Sequence, residues 1–484
     1  MRLPLGEGLG VGVCILPHNG GGCTTSGRTS MANVARGTHE VGIEPIPLSE
    51  RRLGFFDTFV LWADLGISFL VMVVGMFLVP GLGLGQAFVA ILVGALIGNL
   101  LLGLTATIGS DTGLPTMVLL RPALGLRGSY APSVLNVLQL IGWATFEVII
   151  MAQAAHTLSG RFFGSSSYLA WAIFFGAITT LMAVGGPVLI VKQWLEKFAV
   201  WAVLLSTIWL TYAVITSYDL GGLFAKPGTG EMSFWLAVDL VAVMPISWVP
   251  LVADYSRFAR QRSAAFWGTA VGYFVPHIWF YALGAVLALA GGVIADPNAP
   301  IAPLLAAIAG LTAGWAAVVI ILVDETDEAF ANIYSAAVST QNILPHVSQR
   351  FLSFIIGVLV LMLAATIPLA QYESFLLLIG SVFVPLLGIW VADYFVLRGR
   401  HYDLAELYRI GGSYWYCSGV NWLAIGVWFA GFLLYLFIAG VPQLGLGGWA
   451  PWLGATLPSF FFGFVVYALV RRLAPKQPVA PSLP

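Results

Sequence analysis

The chain has 484 residues, of which 59% are hydrophobic and only 9% charged, and its formal net charge is −1. Soluble domains carry about 25% charged residues, and no basic patch of the kind nucleic acid needs is present. Repeated runs of about 18 or more mostly apolar residues define an all-α polytopic membrane protein, and the short alternating segments of a β-barrel do not occur.

Residues 1–47 are expected to form a disordered cytoplasmic tail. Its first thirty residues are Gly-rich without the basic and apolar regions of a signal peptide, and Met31 is a candidate start. Cys14, Cys23 and Cys417 match neither a disulfide framework nor a zinc pattern.

Twelve helices are then predicted, over Phe55–Val79, Gln86–Gly109, Tyr130–Leu158, Ser167–Val184, Leu195–Ser217, Phe234–Phe258, Ala264–Val293, Pro303–Ser339, Phe351–Pro368, Phe375–Leu397, Val420–Ala439 and Trp452–Arg471. The eighth is too long for one straight span, so a tilt or a break near its acids is expected. Residues 48–397 are expected to form the core, in halves 48–218 and 232–397, with two further helices in 398–472 and a cytoplasmic tail in 473–484. Sixteen of the 21 Lys and Arg residues fall on the side of the N-terminus and two, Arg161 and Lys226, on the other. That bias places both termini in the cytoplasm of a cell-membrane protein.

The first helix carries Asp64 and Gly66 near its middle, and the sixth carries Pro245 and Pro250. A proline inside a helix removes a backbone hydrogen bond and clashes with the turn before it. Breaks at corresponding places in two halves point to a transporter site. Reading helices one to five and six to ten as inverted repeats pairs the first with the sixth and the third with the eighth.

In the third helix Gln139, Trp143 and Glu147 are spaced by four and share a face. A ring beside hydrogen-bonding groups suits a flat polar heterocycle, although a lone Trp is as readily packing. Glu147 favours a ligand with N–H donors, because a carboxylate only accepts. In the sixth helix Pro245, Ser247 and Trp248 offer freed backbone groups, a hydroxyl and a ring, against the plainer reading of a proline kink. Asp254 reads as a helix-end ion pair with Arg257.

The eighth helix holds Asp324, Glu325, Thr326, Asp327 and Glu328 with no Lys or Arg in the span. A charge at mid-bilayer costs about 2.5–3.5 kcal/mol on insertion scales. These acids are therefore protonated, or hold a cation, or face a wet cavity. Asp324, Asp327 and Glu328 share a face and Glu325 turns about 100° away. Asp64 is their natural companion. If the ion is Na+, Asp64, Asp324 and Glu325 would ligate it; if it is H+, the same carboxyls and Asp327 would relay it.

A channel would also line its path with acids. An intramembrane enzyme would need a nucleophile and base or a metal set, and neither His-Glu-x-x-His nor a Walker loop is present.

Ile97-Gly-Asn-Leu-Leu-Leu-Gly103, Thr112-Gly-Leu114, Gly125-Leu-Arg-Gly-Ser129, Gln139-Leu-Ile-Gly-Trp143, Ala253-Asp-Tyr-Ser-Arg-Phe258 and Val391-Ala-Asp-Tyr-Phe395 resemble the nucleobase–cation symporter family of cytosine, purine, allantoin and hydantoin permeases. The resemblance runs from about Leu48 to Arg472 and is nearest to the cytosine permease and hydroxymethylpyrimidine branch. It implies a five-plus-five inverted-repeat fold with two extra helices, alternating access, and a substrate held between Trp143 and an aromatic of the broken sixth helix, with Glu147 bonding the ligand. Two positions depart from the family. Pro245 stands at the sixth-helix aromatic, which leaves Trp248 or no residue as the second ring. Asp324-Glu325-Thr326 stands where the family's sodium site uses hydroxyls.

The expectation is a monomeric secondary transporter that imports a cytosine-, purine- or hydroxymethylpyrimidine-like heterocycle with Na+ or H+. Its partners would be that small substrate and membrane lipid, with no nucleic acid and no cofactor. The alternatives are a cation-selective channel and a permease for allantoin or hydantoin.

Overall fold

A computed structural model describes residues 42–186, 200–292, 302–366, 372–441 and 446–473. Met31, Cys14, Cys23 and the basic loop residues Lys192 and Lys197 lie outside these ranges.

The first rod is two helices, α1 (Phe55–Asp64) and α2 (Phe69–Phe77), bent by 59°. The sequence between them explains the break. Leu65 closes α1, and Ser68 starts α2 by accepting from the Leu70 amide at 3.1 Å. Gly66 lies against the neighbouring helix, where a Cβ would come within 2.7 Å of the Pro276 ring.

Helix α3 (Leu84–Thr112) stops at Gly113, whose φ of 77° is the left-handed cap that glycine favours. Helix α4 (Tyr130–Phe163) is the longest in the described chain at 34 residues. It is followed by α5 (Tyr168–Gly185) and α6 (Val200–Ser217). The sixth predicted helix is α7 (Phe234–Ser247), a 3-10 turn at Val249–Leu251, then α8 (Val252–Ser256). Pro250 sits inside that turn, as its missing N–H requires. Beyond it come α9 (Arg262–Gly291), α10 (Ala302–Gly310) and α11 (Gly314–Gln341). The chain continues through α12 (Gln349–Ala364), α13 (Tyr372–Val391), a π turn at Ala392–Leu397, α14 (Trp422–Ala439) and α15 (Thr456–Leu473). The described strands are two residues each, Gly440–Val441 antiparallel to Leu446–Gly447.

Eight described helices are long and apolar enough to span a bilayer, or nine with the bent pair counted as one. The long eighth segment does break, but not near its acids. The interruption falls at residues 311–313, where Ala313 takes φ 54°, and all five polar residues sit in the unbroken α11. Carboxyl side chains leave the helical backbone bonds intact, whereas the glycines at 310 and 314 release the chain.

The helices form two groups. In one, α1, α2 and α3 pack on α9, and α3 also packs on α7. In the other, α4 packs on α11 and α5 on α12. Close approach within the first group depends on small residues: a Cβ at Gly75 would overlap the Tyr281 carbonyl, and one at Gly284 the Met72 carbonyl. The break of the first rod faces the seam between the groups.

Candidate functional site

Where α2 begins, its first amides have no partner within the helix and carry partial positive charge. Glu325 of α11 supplies the partner: its Oε1 accepts from the Phe69 amide at 2.6 Å and the Ser68 hydroxyl at 2.9 Å. Oε2 of Glu325 is buried and has no hydrogen-bond partner.

Two further contacts extend this junction. Asp327 lies beside Asp64, the last residue of α1. One turn on from Glu325, Glu328 contacts both the Ser68 hydroxyl and the Glu147 carboxyl of α4. Both oxygens of Glu147 also accept from the Asn332 amide, at 2.8 and 3.1 Å. The spacing explains the set, since Glu325, Glu328 and Asn332 are three and four residues apart on one face of α11.

The result is a line of neighbouring carboxyls across the seam, in which Asp64 has Asp327 and Glu328 beside it and Glu328 has Glu325 and Glu147. All five are at most 5% exposed. Among the described residues no Lys, Arg or His lines the cavity that Glu147 and Glu328 border. An isolated carboxylate in such surroundings costs several kcal/mol. Two carboxyls in contact relieve that cost by holding one positive charge between them, a proton or a metal cation.

Beside Glu147 and Glu328 lies a cavity with about 10 Å³ of free space, room for about one water. Leu70, Trp143, Met244, Ser247, Trp248, Tyr273 and Asn332 complete its wall. The Trp143 ring meets Phe375 edge-on at 5.2 Å between centroids. Trp248 meets Trp62 in the same way at 5.9 Å, and its indole N–H donates to the Tyr273 hydroxyl at 3.1 Å. Both indoles are thus fixed by neighbours that do not themselves fill the cavity, except Tyr273.

Of the residues singled out in the sequence, Trp143, Glu147, Ser247 and Trp248 share this cavity, while Asp64, Glu325 and Asp327 meet at the helix break. Gln139 does not reach the cavity. Its amide donates to Asn136 at 2.7 Å and to the Ser247 carbonyl at 3.2 Å, tying α4 to α7. Pro245 is turned away as well, its ring lying where a Cβ on Gly98 of α3 would be. Thr326 bonds back to the Val323 carbonyl at 2.6 Å. The side chain of Asp324 lies outside the described residues.

Asp254 does face the Arg257 charge at the helix end, and each of the two also bonds elsewhere. Its carboxylate accepts from the Thr116 amide at 3.0 Å, while Arg257 bonds the Asp254 carbonyl, Gly42 and the Tyr334 hydroxyl. The pair therefore anchors helix ends to neighbouring segments. Tyr273 and Asn332 lie in the cavity wall and escaped the sequence reading. The i, i+4 spacing of Asn332 from Glu328 could have revealed it; nothing local marks Tyr273.

The sequence profile of the family described as "Permease for cytosine/purines, uracil, thiamine, allantoin" matches residues 45–466. The hydantoin permease of Microbacterium maritypicum is 26% identical over 403 residues, covering 79% of this chain and 81% of that protein. The cytosine permease of Escherichia coli (strain K12) is 28% identical over 398 residues, covering 79% and 85%. Among solved structures, Mhp1, a nucleobase-cation-symport-1 family transporter in a closed conformation with bromovinylhydantoin bound, superposes with a TM-score of 0.75. The identity is 22%, over 89% of this chain and 93% of that one. A Na+-coupled sialic acid symporter at 12% identity gives 0.62 over 88% and 91%. These structures share the fold.

Proposed function

The chain belongs to the family of permeases for cytosine/purines, uracil, thiamine and allantoin, and we propose that within it the protein is a cation-coupled importer of a nucleobase or related nitrogen heterocycle. One observation carries this reading: the cavity walled by Trp143 and Trp248 shares Glu147 and Glu328 with the line of acids that ends at the break of the first rod. Cargo and coupling ion would then act on the same side chains.

The cargo stacks between the two indoles and bonds Glu147 and Asn332 through its edge. The coupling ion is a proton, with Na+ as the rival. Support comes from Glu325, whose carboxylate already bonds Ser68 and the Phe69 amide, and from the two neighbouring carboxyl pairs. A proton on this line holds α1, α2 and α11 together across the seam. Cargo then binds a site already ordered, and reciprocity requires cargo to tighten the proton equally.

The same reading takes the membrane topology as twelve spans. These are the bent first rod, eight long helices, the shorter α6 and α12, and the acid-bearing α11. Residues 48–218 and 232–397 are inverted repeats, both termini are cytoplasmic in the cell membrane, and the transport unit is a monomer. Access alternates as the two helix groups rock about the acid-lined seam.

The test is a thermal-shift screen of purified protein against nucleobases, hydantoin and allantoin at two pH values, with and without Na+, since ligand binding raises apparent stability by mass action. Stabilisation by a heterocycle that depends on pH and ignores Na+ is expected. Dependence on Na+ at every pH would replace the proton by sodium, and stabilisation by none of the panel would remove the carrier assignment.

A further inference from the structure

A second concavity lies away from the acid line, at the basic end of the molecule. About 630 Å³ of space opens between the start of α1, at Gly54 and Phe55, and the start of α9, at Gln261, Ser263 and Trp267, with Arg260 in its wall. Small-molecule sites usually offer about 300–1,000 Å³. The backbone fixes the frame of this groove. The Leu53 amide donates to the Phe258 carbonyl at 3.0 Å, and the Arg260 amide to the Leu53 carbonyl at 2.9 Å. Beyond these bonds α1 and α9 close up, since a Cβ on Gly268 would come within 2.7 Å of the Thr58 side chain.

The wall carries one charged side chain. Arg260 is exposed, and its Nε donates to the Arg51 carbonyl at 3.3 Å, which steadies the guanidinium and leaves its other N–H groups available. Among the described residues Arg260 forms no ion pair. Gln261 and the Ser263 hydroxyl, both exposed, add neutral polar groups. Nearby acids are engaged elsewhere: Asp111 holds Arg262 at 2.7 Å and Arg400 at 3.0 Å, and Asp57 accepts from the Gly54 amide at 2.7 Å. The other side of the wall's chemistry is apolar. Phe55 and Trp267 are 50% and 53% exposed, so their rings face outward beside the guanidinium.

A guanidinium with hydrogen-bonding neighbours matches phosphate oxygens. Exposed aromatic rings at helix ends belong at the level of lipid headgroups. One groove that holds both suits a molecule with an anionic head and apolar tails. A free phosphate would leave the rings unused, and a lipid without net charge would leave Arg260 uncompensated. In the orientation proposed above this end is cytoplasmic, and anionic lipids are concentrated in the leaflet there. We propose that the groove between α1 and α9 binds an anionic phospholipid, with its phosphate on Arg260 and its chains along Phe55 and Trp267. The lipid bridges α1 and α9, and so braces the first half of the broken rod, whose last residue is Asp64.

Native mass spectrometry of the full-length protein reads the selectivity, from detergent holding equal amounts of dioleoylphosphatidylglycerol and dioleoylphosphatidylcholine. The chains are identical, so only the heads compete. The wild type is expected to retain the glycerol lipid about fivefold over the choline lipid, the size of one basic contact near a membrane surface. Arg260→Gln is expected to bring that ratio close to one. Arg472→Gln removes an exposed arginine at the end of α15, outside the groove, and is expected to keep it. Excess glycerol phosphate should displace none of the bound lipid. Equal retention of the two lipids by the wild type overturns the proposal. So does an equal loss of selectivity in both arginine variants, which would mean diffuse surface charge. Displacement by glycerol phosphate overturns it too, by making the groove a site for free phosphate. If Arg260→Gln fails to fold, Gln261→Glu sets an acid beside Arg260 from an exposed position and is expected to lower the ratio as far; an unchanged ratio there also overturns the proposal. Each of these outcomes leaves the carrier reading where it stands, because the groove is separate from the cargo cavity.

Discussion

Oxygen Oε1 of Glu325 lies 2.6 Å from the backbone nitrogen of Phe69, so a side chain on α11 terminates the second half of the broken first rod. The bond crosses the seam between the two helix groups. It satisfies amides that the break exposes, in the place where a helix N-terminus favours negative charge. A single group therefore holds the break in shape and joins the two helix groups.

Replacing Glu325 separates these roles. Glu325→Ala leaves the Phe69 amide and the Ser68 hydroxyl without their acceptor, and hydrogen bonds to a charged group contribute about 1.5–3 kcal/mol. A loss of that size should appear as a lower unfolding midpoint in detergent. Glu325→Gln keeps an accepting oxygen and should recover most of the loss, yet it has no proton to exchange. Its uptake into proteoliposomes should stop responding to a pH gradient. A Gln variant that folds well and remains fully pH-driven would take Glu325 out of coupling.

Trp143 and Glu147 test the cargo side. Stacking on an aromatic ring contributes about 1–3 kcal/mol per base, so Trp143→Ala should weaken heterocycle binding about tenfold to a hundredfold. Glu147→Ala also strands the Asn332 amide and should abolish uptake. Both proteins should still insert and migrate as folded species in size-exclusion chromatography. Wild-type uptake in both would move the cargo site elsewhere.

Parts of this site were legible in the sequence and parts were not, for a physical reason. Asp64-Leu65-Gly66-Ile67-Ser68 puts an acid, a glycine and a capping residue into an apolar run, and the chain breaks there. The acids of α11 announce themselves because a charge in a lipid-spanning run has a large cost. Spacing also gave the angles between them. It could not give the azimuth of α11 against its neighbours, which is set by packing of the whole seam. Glu325, turned about 100° from Asp324, is the residue that meets Ser68 and Phe69. Pro245 illustrates the same limit. Its identity marks an interruption, but its ring points at Gly98 instead of the cavity, which leaves Trp248 as the ring opposite Trp143.

The backbone-to-backbone packing of α2 on α9 makes a separate prediction. A Cβ at Gly284 would overlap the Met72 carbonyl, a backbone atom that cannot swing aside like a side-chain tip. Gly284→Ala should therefore push α2 outward and cost about 1–3 kcal/mol, the usual range for overpacking. Thermal unfolding of the purified variant measures this. A midpoint equal to that of the wild type would show that α2 is not seated on α9 as described.

Outside the membrane, Glu406 reports on pH with a definite sign. Its carboxylate accepts from the Ser413 amide at 2.7 Å and pairs with Arg409 at 3.0 Å, and these contacts hold it below the ordinary carboxylate range. A carboxyl depressed on folding contributes stability that is complete above its unfolded value, about 4.3, and is lost as pH falls through the lower folded value. Hydrogen exchange at the Ser413 amide, corrected for its intrinsic rate, should accelerate only in that acidic window. Glu406→Gln should remove the pH step. A step that persists in the variant would assign it to another group.

The nearness of Asp64 and Asp327 makes the sharpest test of the proposed coupling, because the two residues are predicted to act as one unit. If they hold a single proton between them, Asp64→Asn and Asp327→Asn each imitate the protonated pair permanently. Each variant should lose most pH-driven uptake, and the double variant should be scarcely worse than either single one. That non-additivity corresponds to an interaction of about 0.5–3 kcal/mol, the range found for residues in direct contact. Initial uptake rates across a pH series, in four proteoliposome preparations matched for protein, measure it. Losses that simply add, with the pH profile of each single variant unshifted, would mean that the two carboxyls titrate independently. The proton would then have to enter the acid line elsewhere, at the Glu147 and Glu328 end.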